Sequence, residues 1–208
     1  MTFYTTLIRE RMKKTFIMAL LFACLGSVPV FAAPYVSVSA GRGIPGDLKY
    51  VSVLDKLDNS VALNVAAGYN FWSERLKNFG SESFGSERLE IAVGNQRYDY
   101  HNFTHLHLSA KTVMVNGYHD FDDFEVCLGI KTYVMAGAGI ADLTTNDNLI
   151  DGTFFSWQVG AGGGVKLTKS MTFDLGYRYL KPVGVEDVYG DKVSWKLHNI
   201  LAGIRYEF

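Results

Sequence analysis

The sequence predicts an all-β fold, an eight-stranded antiparallel transmembrane β-barrel with up-and-down meander connections. Three observations carry this expectation. Apolar residues alternate with small or polar ones at period two through eight separate segments, a basic and apolar leader precedes them, and the chain ends on an aromatic residue that completes one alternation. Composition agrees. Of 208 residues 48% are hydrophobic and 14% aromatic, with 21 Gly and only 4 Pro, which favours strands in close backbone contact over a helical protein. With 20 basic against 21 acidic side chains there is no bulk positive charge for nucleic acid, and 2 cysteines exclude a disulfide-stapled scaffold.

The leader comes first. Lys13-Lys14 precede an apolar run from Phe16 to Leu25, and small residues at Val30-Phe31-Ala32 suit signal peptidase, so residues 1–32 read as a secretory signal peptide and 33–208 as the barrel. The apolar run is about half the ~20 residues a membrane-spanning helix needs. Met12 makes a better start than Met1, because Met12-Lys13-Lys14 is a compact basic opening whereas Glu10 adds an acid upstream. Leu21-Phe22-Ala23-Cys24 resembles a lipobox, but Phe22 is bulky for that site and the later cleavage site suits the ordinary peptidase better. Cleavage after Ala32 leaves 176 residues with 16 basic and 20 acidic side chains, a charge of −4, and leaves Cys127 alone without an intramolecular disulfide partner.

The strands follow in order. Tyr35–Gly41 is the first, and Val61–Phe71 the second, where Val61, Leu63, Val65, Ala67, Tyr69 and Phe71 alternate with Ala62, Asn64, Ala66, Gly68 and Asn70. Glu87–Tyr100 is the third; Leu89, Ile91 and Val93 fall out of phase with Tyr98 and Tyr100, so a bulge is expected near Gly94. Leu106–Phe121 and Phe124–Ala141 are the fourth and fifth. Phe155, Trp157, Val159, Ala161, Val165 and Leu167 share one face of the sixth, with Ser156, Gln158, Gly160, Gly162, Gly164 and Lys166 on the other. After the Thr168-Lys169-Ser170 turn, Met171–Leu180 repeats the code, and Asn199–Phe208 closes the set.

A soluble barrel buries the apolar face and a membrane barrel turns it to lipid. Here the minor face carries Gly together with Asp174, Arg178, Arg205, Glu207, Glu90 and Lys131, which suits a narrow lumen of ion pairs. Aromatics gather at strand ends, at Tyr69, Phe71, Phe155, Trp157, Tyr177, Tyr179, Tyr206 and Phe208, where interfacial girdles belong. An Arg facing lipid at the midplane costs about 2 to 4 kcal/mol, so Arg178 and Arg205 should point inward. Aligning Pro182 with Trp195 sets Asp174 diagonal to Arg205, and an ion pair is expected there.

Phe155–Gly162, Phe173–Tyr179 and His198–Phe208 together resemble the last three strands of opacity-type, OmpA-like eight-stranded outer-membrane β-barrels. Tyr133–Ala141 and Ala62–Phe71 resemble strands of the same family. That resemblance implies residence in the outer membrane, termini on the periplasmic side, and a structural, adhesion or surface-antigen role for the loops. The loops would be Arg42–Asn59, His101–His105, Asp142–Thr153 and Lys181–Ser194. Phe208, Tyr206 and Ile204 resemble the signal read by the barrel-assembly machinery. The implied partners are that machinery, outer-membrane lipid and lipopolysaccharide, and host surface molecules, for a monomer that binds no nucleic acid and uses no cofactor. Two segments depart from the family pattern. Trp72–Ser86 is a long turn containing a Phe-Gly-Ser-Glu repeat over Phe79–Arg88, read as a local duplication, and Phe124–Ile130 is an extension of the fifth strand.

Chemistry finds few candidates. His107-Leu108-Ser109 resembles the His-x-Ser of outer-membrane lipid A deacylases, and residues two apart on a strand share a face. Those enzymes follow the Ser with Asn, whereas Ala110 stands here, and no carboxylate is placed by pattern to orient His107. The expectation is therefore no enzyme, with His107 and Ser109 as weak candidates. His101, His105, His107 and His119 make no complete metal set, and the acidic third loop with Asp142, Asp147 and Asp151 lacks calcium-loop spacing. Eight strands leave an interior just wide enough to fill with side chains, so a narrow channel is the alternative and a wide pore is not expected.

Overall fold

The computed structural model describes residues 32–46, 48–49, 54–55, 58, 60–71, 85–99, 107–126, 130–146, 150–186, 190 and 193–208. Residues 1–31 of the expected leader, with Met12 and Cys24, lie outside them, as do Cys127, His101, His105, Asp147 and most of the Phe79–Arg88 repeat. The described strands are β1 (Ala32–Pro45), β2 (Leu48–Lys49), β3 (Leu54–Asp55), β4 (Ser60–Phe71), β5 (Gly85–Asp99), β6 (His107–Val126), β7 (Ile130–Thr145), β8 (Asp151–Lys166), β9 (Met171–Pro182) and β10 (Leu197–Glu207).

Eight of them close into a barrel in the order β1-β10-β9-β8-β7-β6-β5-β4, so chain neighbours are sheet neighbours and the last strand seals against the first. Closure removes both sheet edges, which matters in lipid because no water is there to satisfy an unpaired backbone group. The end of the chain is held in the same way. Glu207 N–H donates to Ser170 O at 2.8 Å and Phe208 N–H to Pro34 O at 3.1 Å. Leu48–Lys49 and Leu54–Asp55 pair as a small ribbon inside the first loop.

The faces separate as the alternation requires. Val61 and Val65 are 68% and 59% exposed while the residues after them, Ala62 and Ala66, are buried, so the apolar row of β4 faces out. Leu63, Leu89, Val93, Val115, Val134, Ile140, Phe155, Val159, Leu175 and Ile200 continue that row as an exposed band around the barrel. Such a surface is unfavourable in water and favourable in hydrocarbon. Among the described residues no helix is long and apolar enough to cross a membrane; the strands do the crossing.

Two expectations need correction. β6 runs on to Val126 and β7 begins at Ile130, so Phe124–Val126 lengthens the fourth barrel strand rather than the fifth. The ladder slips between Phe121 and Glu125, where the extra residues are absorbed. No bulge occurs near Gly94, because β5 pairs with β6 without a slip from Gly85 opposite Phe121 to Asp99 opposite His107. Tyr98 is completely buried and in phase with Arg88, Glu90, Ala92 and Gly94. It belongs to the lumen, so no phase change is needed.

Candidate functional site

Inside the barrel, the half nearer the chain ends is built from charged side chains. Arg88 on β5 donates from Nε to Asp120 Oδ2 at 2.6 Å and from Nη2 to Asp120 Oδ1 at 2.7 Å. Its guanidinium lies over the Tyr118 ring at 4.2 Å and the Tyr133 ring at 5.2 Å. Planar stacking and a bidentate fork suit Arg rather than Lys at this site. Room for Tyr133 comes from Gly162 and Gly176, where an added Cβ would collide with its hydroxyl.

Glu90 is the second centre. Its carboxylate accepts from the Tyr35 hydroxyl at 3.0 Å, Asn116 Nδ2 at 3.0 Å and the Tyr118 hydroxyl at 2.6 Å. Arg178 Nη2 donates to the Tyr118 hydroxyl at 2.9 Å and stands 3.9 Å from Glu90 Oε1. Gln158 Nε2 in turn donates to Asn116 Oδ1 at 2.5 Å. Such linked, satisfied bonds offset the cost of burying a carboxylate.

Arg205 makes the third. Its Nε donates to Asp174 Oδ2 at 3.2 Å and its Nη1 to Glu207 Oε1 at 3.2 Å. The register has Gly203 opposite Asp174 and Thr172 opposite Arg205, so the Asp174–Arg205 pair lies on the diagonal. Of the six charged lumen residues singled out in the sequence, Arg205, Asp174 and Glu207 meet in one group and Arg178 and Glu90 in another. Sequence reasoning missed Arg88, Asp120, Asn116 and the three tyrosines. A signal existed, since Arg88 to Tyr98 keeps strict period two once Tyr98 is placed inside.

The loop half of the lumen is apolar. Tyr98, Leu108, Ala110, Met114, Ala141, Leu143, Leu180, Trp195 and Leu197 form one buried cluster, joined by Ile150, Val185 and Val193 from the connections above. Trp195 meets Tyr98 edge to face at 5.7 Å. Ile150 is tied down by its N–H to Thr145 Oγ1 at 3.0 Å, and Val193 by its N–H to Val185 O at 2.9 Å. Two cavities lie among these side chains. One cavity of about 30 Å3 touches Arg88, Glu90, Asp174, Arg178 and Arg205, and another of about 20 Å3 touches Asn64, Gln158, Arg178 and Asn199. Each has room for at least one water, which needs about 10 to 15 Å3.

On the outside, His107 and Ser109 share the outward face of β6, flanked by buried Leu108 and Ala110. Asp99 lies directly opposite His107 on β5, a carboxylate that pattern alone did not place. That carboxylate instead faces Arg97, 3.8 Å from its Nε, and no hydrogen bond joins the side chains of His107 and Ser109 among the described residues. His107 is held through its backbone, whose N–H donates to Asn146 Oδ1 at 3.0 Å. A nucleophile needs its base within hydrogen-bond reach. Among the described residues no three His, Cys, Asp or Glu side chains converge to hold a metal.

The fold has solved counterparts. Neisserial surface protein A aligns at a TM-score of 0.58 and 19% identity, covering 85% of this chain and 99% of that one. The outer membrane enzyme PagL aligns at 0.50 and 15% identity, covering 83% and 99%. The Ail attachment invasion locus protein of Yersinia pestis aligns at 0.47 and 17%, covering 84% and 99%. At these identities the likeness is one of fold. No curated protein sequence matches the chain. The sequence does match the family model of the outer membrane protein beta-barrel domain over residues 18–208. With its closed eight-strand meander and apolar outer band, this chain belongs to the outer membrane protein β-barrel domain family and resides in the cell outer membrane.

Proposed function

We propose that this protein is a closed outer-membrane scaffold whose work is done at the cell surface by its four loops, in a structural, adhesion or surface-antigen role of the opacity-type, OmpA-like kind. The observation that supports this reading most is the filled lumen. Trp195, Tyr98, Leu108 and Leu143 occupy the loop half and the Arg88, Glu90 and Arg205 centres occupy the other, which leaves loops and outer face as the accessible chemistry. In this reading residues 1–32 are removed on export, Phe208, Tyr206 and Ile204 present the barrel-assembly signal outward, and the monomer sits among outer-membrane lipid and lipopolysaccharide with host surface molecules as loop partners.

Outer-membrane fractionation combined with protease shaving of intact cells tests the proposal. Cuts confined to the connections 46–60, 99–107, 145–151 and 182–197 are expected. Cleavage of intact cells at the opposite turns, 71–85 or 166–171, would overturn the orientation.

A further inference from the structure

We infer that the smaller lumen cavity, of about 20 Å3, is a built site for one buried water molecule, held by the side-chain oxygen of Asn199 and kept open by Gly94. The site lies in the interior and is independent of the loop chemistry proposed above.

Gly94 stands in an unbroken stretch of the β5–β6 ladder, so no bulge calls for glycine there. Space does. Its register partners are Asn64 on β4 and Thr112 on β6, and all three residues face the lumen. A Cβ on residue 94 would stand 2.6 Å from Thr112 Oγ1 and 3.4 Å from Asn64 Oδ1, so any side chain there would occupy the ground beside two polar oxygens. That ground belongs to the cavity, which Asn64, Gly94 and Thr112 line together with Asn199 of β10.

Asn199 supplies the demand for a ligand. It is 3% exposed, and among the described residues no donor reaches its Oδ1. A buried amide oxygen without a donor is costly, because folding has stripped it of water and put nothing in its place. The groups nearby that donate are committed elsewhere. The Tyr98 hydroxyl, which lies with Asn199 Oδ1 over Gly43, donates to Gln96 Oε1, and Gln158 Nε2 donates to Asn116 Oδ1.

Size and chemistry select the ligand. A water needs about 10 to 15 Å3 and two to four polar partners. The cavity has the volume, and Asn64, Gln96, Thr112 and Asn199 provide the partners. Water brings a donor for Asn199 Oδ1, and its second proton and its lone pairs suit the amide and hydroxyl groups opposite. A metal cation would meet the guanidinium of Arg178, which also lines the cavity, and an anion would face the Asn199 oxygen. The remaining lining comes from both halves of the lumen, Met114 and Leu180 from the plug and Gln158 from the charged half. One molecule thus ties β10 to β4, β5 and β6 at the seam where the charged interior gives way to the plug.

A crystal structure of the purified full barrel, at a resolution that places ordered water, tests the site. The wild type is expected to show one water within hydrogen-bond reach of Asn199 Oδ1. Asn199→Leu removes the acceptor and leaves an apolar side chain of similar size, so that variant should lose the water. Gly94→Ala should displace it as well, and takes the place of Asn199→Leu if that variant fails to show heat-modifiable migration. Ser37→Ala, at a residue that lines the other cavity and not this one, should keep the water. A dry cavity in the wild type, a water bonded to other groups and not to Asn199, a water that persists in the Asn199 or Gly94 variant, or equal loss in Ser37→Ala would overturn the inference.

Discussion

Arg88 reaches past its direct partner on β6, Tyr118, to grip the diagonal residue Asp120 with two hydrogen bonds of 2.6 and 2.7 Å, while its guanidinium lies on the ring it passes. Arg205 does the same toward Asp174, passing over Thr172. A diagonal reach to the neighbouring strand suits a long side chain.

Removing one member of such a pair strands the other. Asp120→Ala should destabilise the folded barrel by about 3 to 5 kcal/mol. Urea unfolding followed by heat-modifiable migration measures it. The double variant Arg88→Met, Asp120→Leu should recover most of the loss, because neither charge is then left buried alone. A double variant as unstable as the single one would show that the pair acts through packing.

Tyr133 offers a cleaner distinction. At Gly176 an added Cβ meets the Tyr133 hydroxyl and little else at close range, whereas at Gly162 it also meets the Leu175 carbonyl and the ring carbon bearing the hydroxyl. Gly176→Ala should cost about 1 to 3 kcal/mol and be rescued by Tyr133→Phe. Gly162→Ala should not be rescued. Equal rescue at both sites would contradict the geometry.

The apolar plug predicts a stability effect without a pore. Trp195→Ala should lower stability by about 3 to 5 kcal/mol through the cavity it leaves. Conductance should stay at background, because the layer of Glu90, Asn116, Gln158 and Arg178 remains below it.

The outer-face pair has its own test. Wild type and Ser109→Ala should both show background hydrolysis of purified lipid A, since His107 does not engage Ser109 and Asp99 faces Arg97. Activity in the wild type that vanishes in the variant would establish a hydrolase.

Much of the barrel is legible in the chain because lipid demands a strict two-residue alternation, and Val61 to Phe71 or Met171 to Leu180 satisfy it in plain view. Register was legible in one place. Pro182 lies at the end of β9 and Trp195 just ahead of β10, and their alignment alone sets the Asp174–Arg205 diagonal. Arg88 was hidden by its place at the end of the Phe-Gly-Ser-Glu repeat and at the very start of the expected third strand, Glu87–Tyr100. Tyr98 was hidden differently. An aromatic near a strand end looks like girdle, yet this one packs on Trp195 inside, since the loop half of the lumen is apolar like the exterior. Where both faces are apolar, alternation carries no information about which is in.

Planar-bilayer conductance of the purified wild-type barrel tests the sealed lumen most directly. A sealed lumen gives a flat baseline with no reproducible unitary steps. Reproducible single-channel steps from the folded, heat-modifiable form would contradict it.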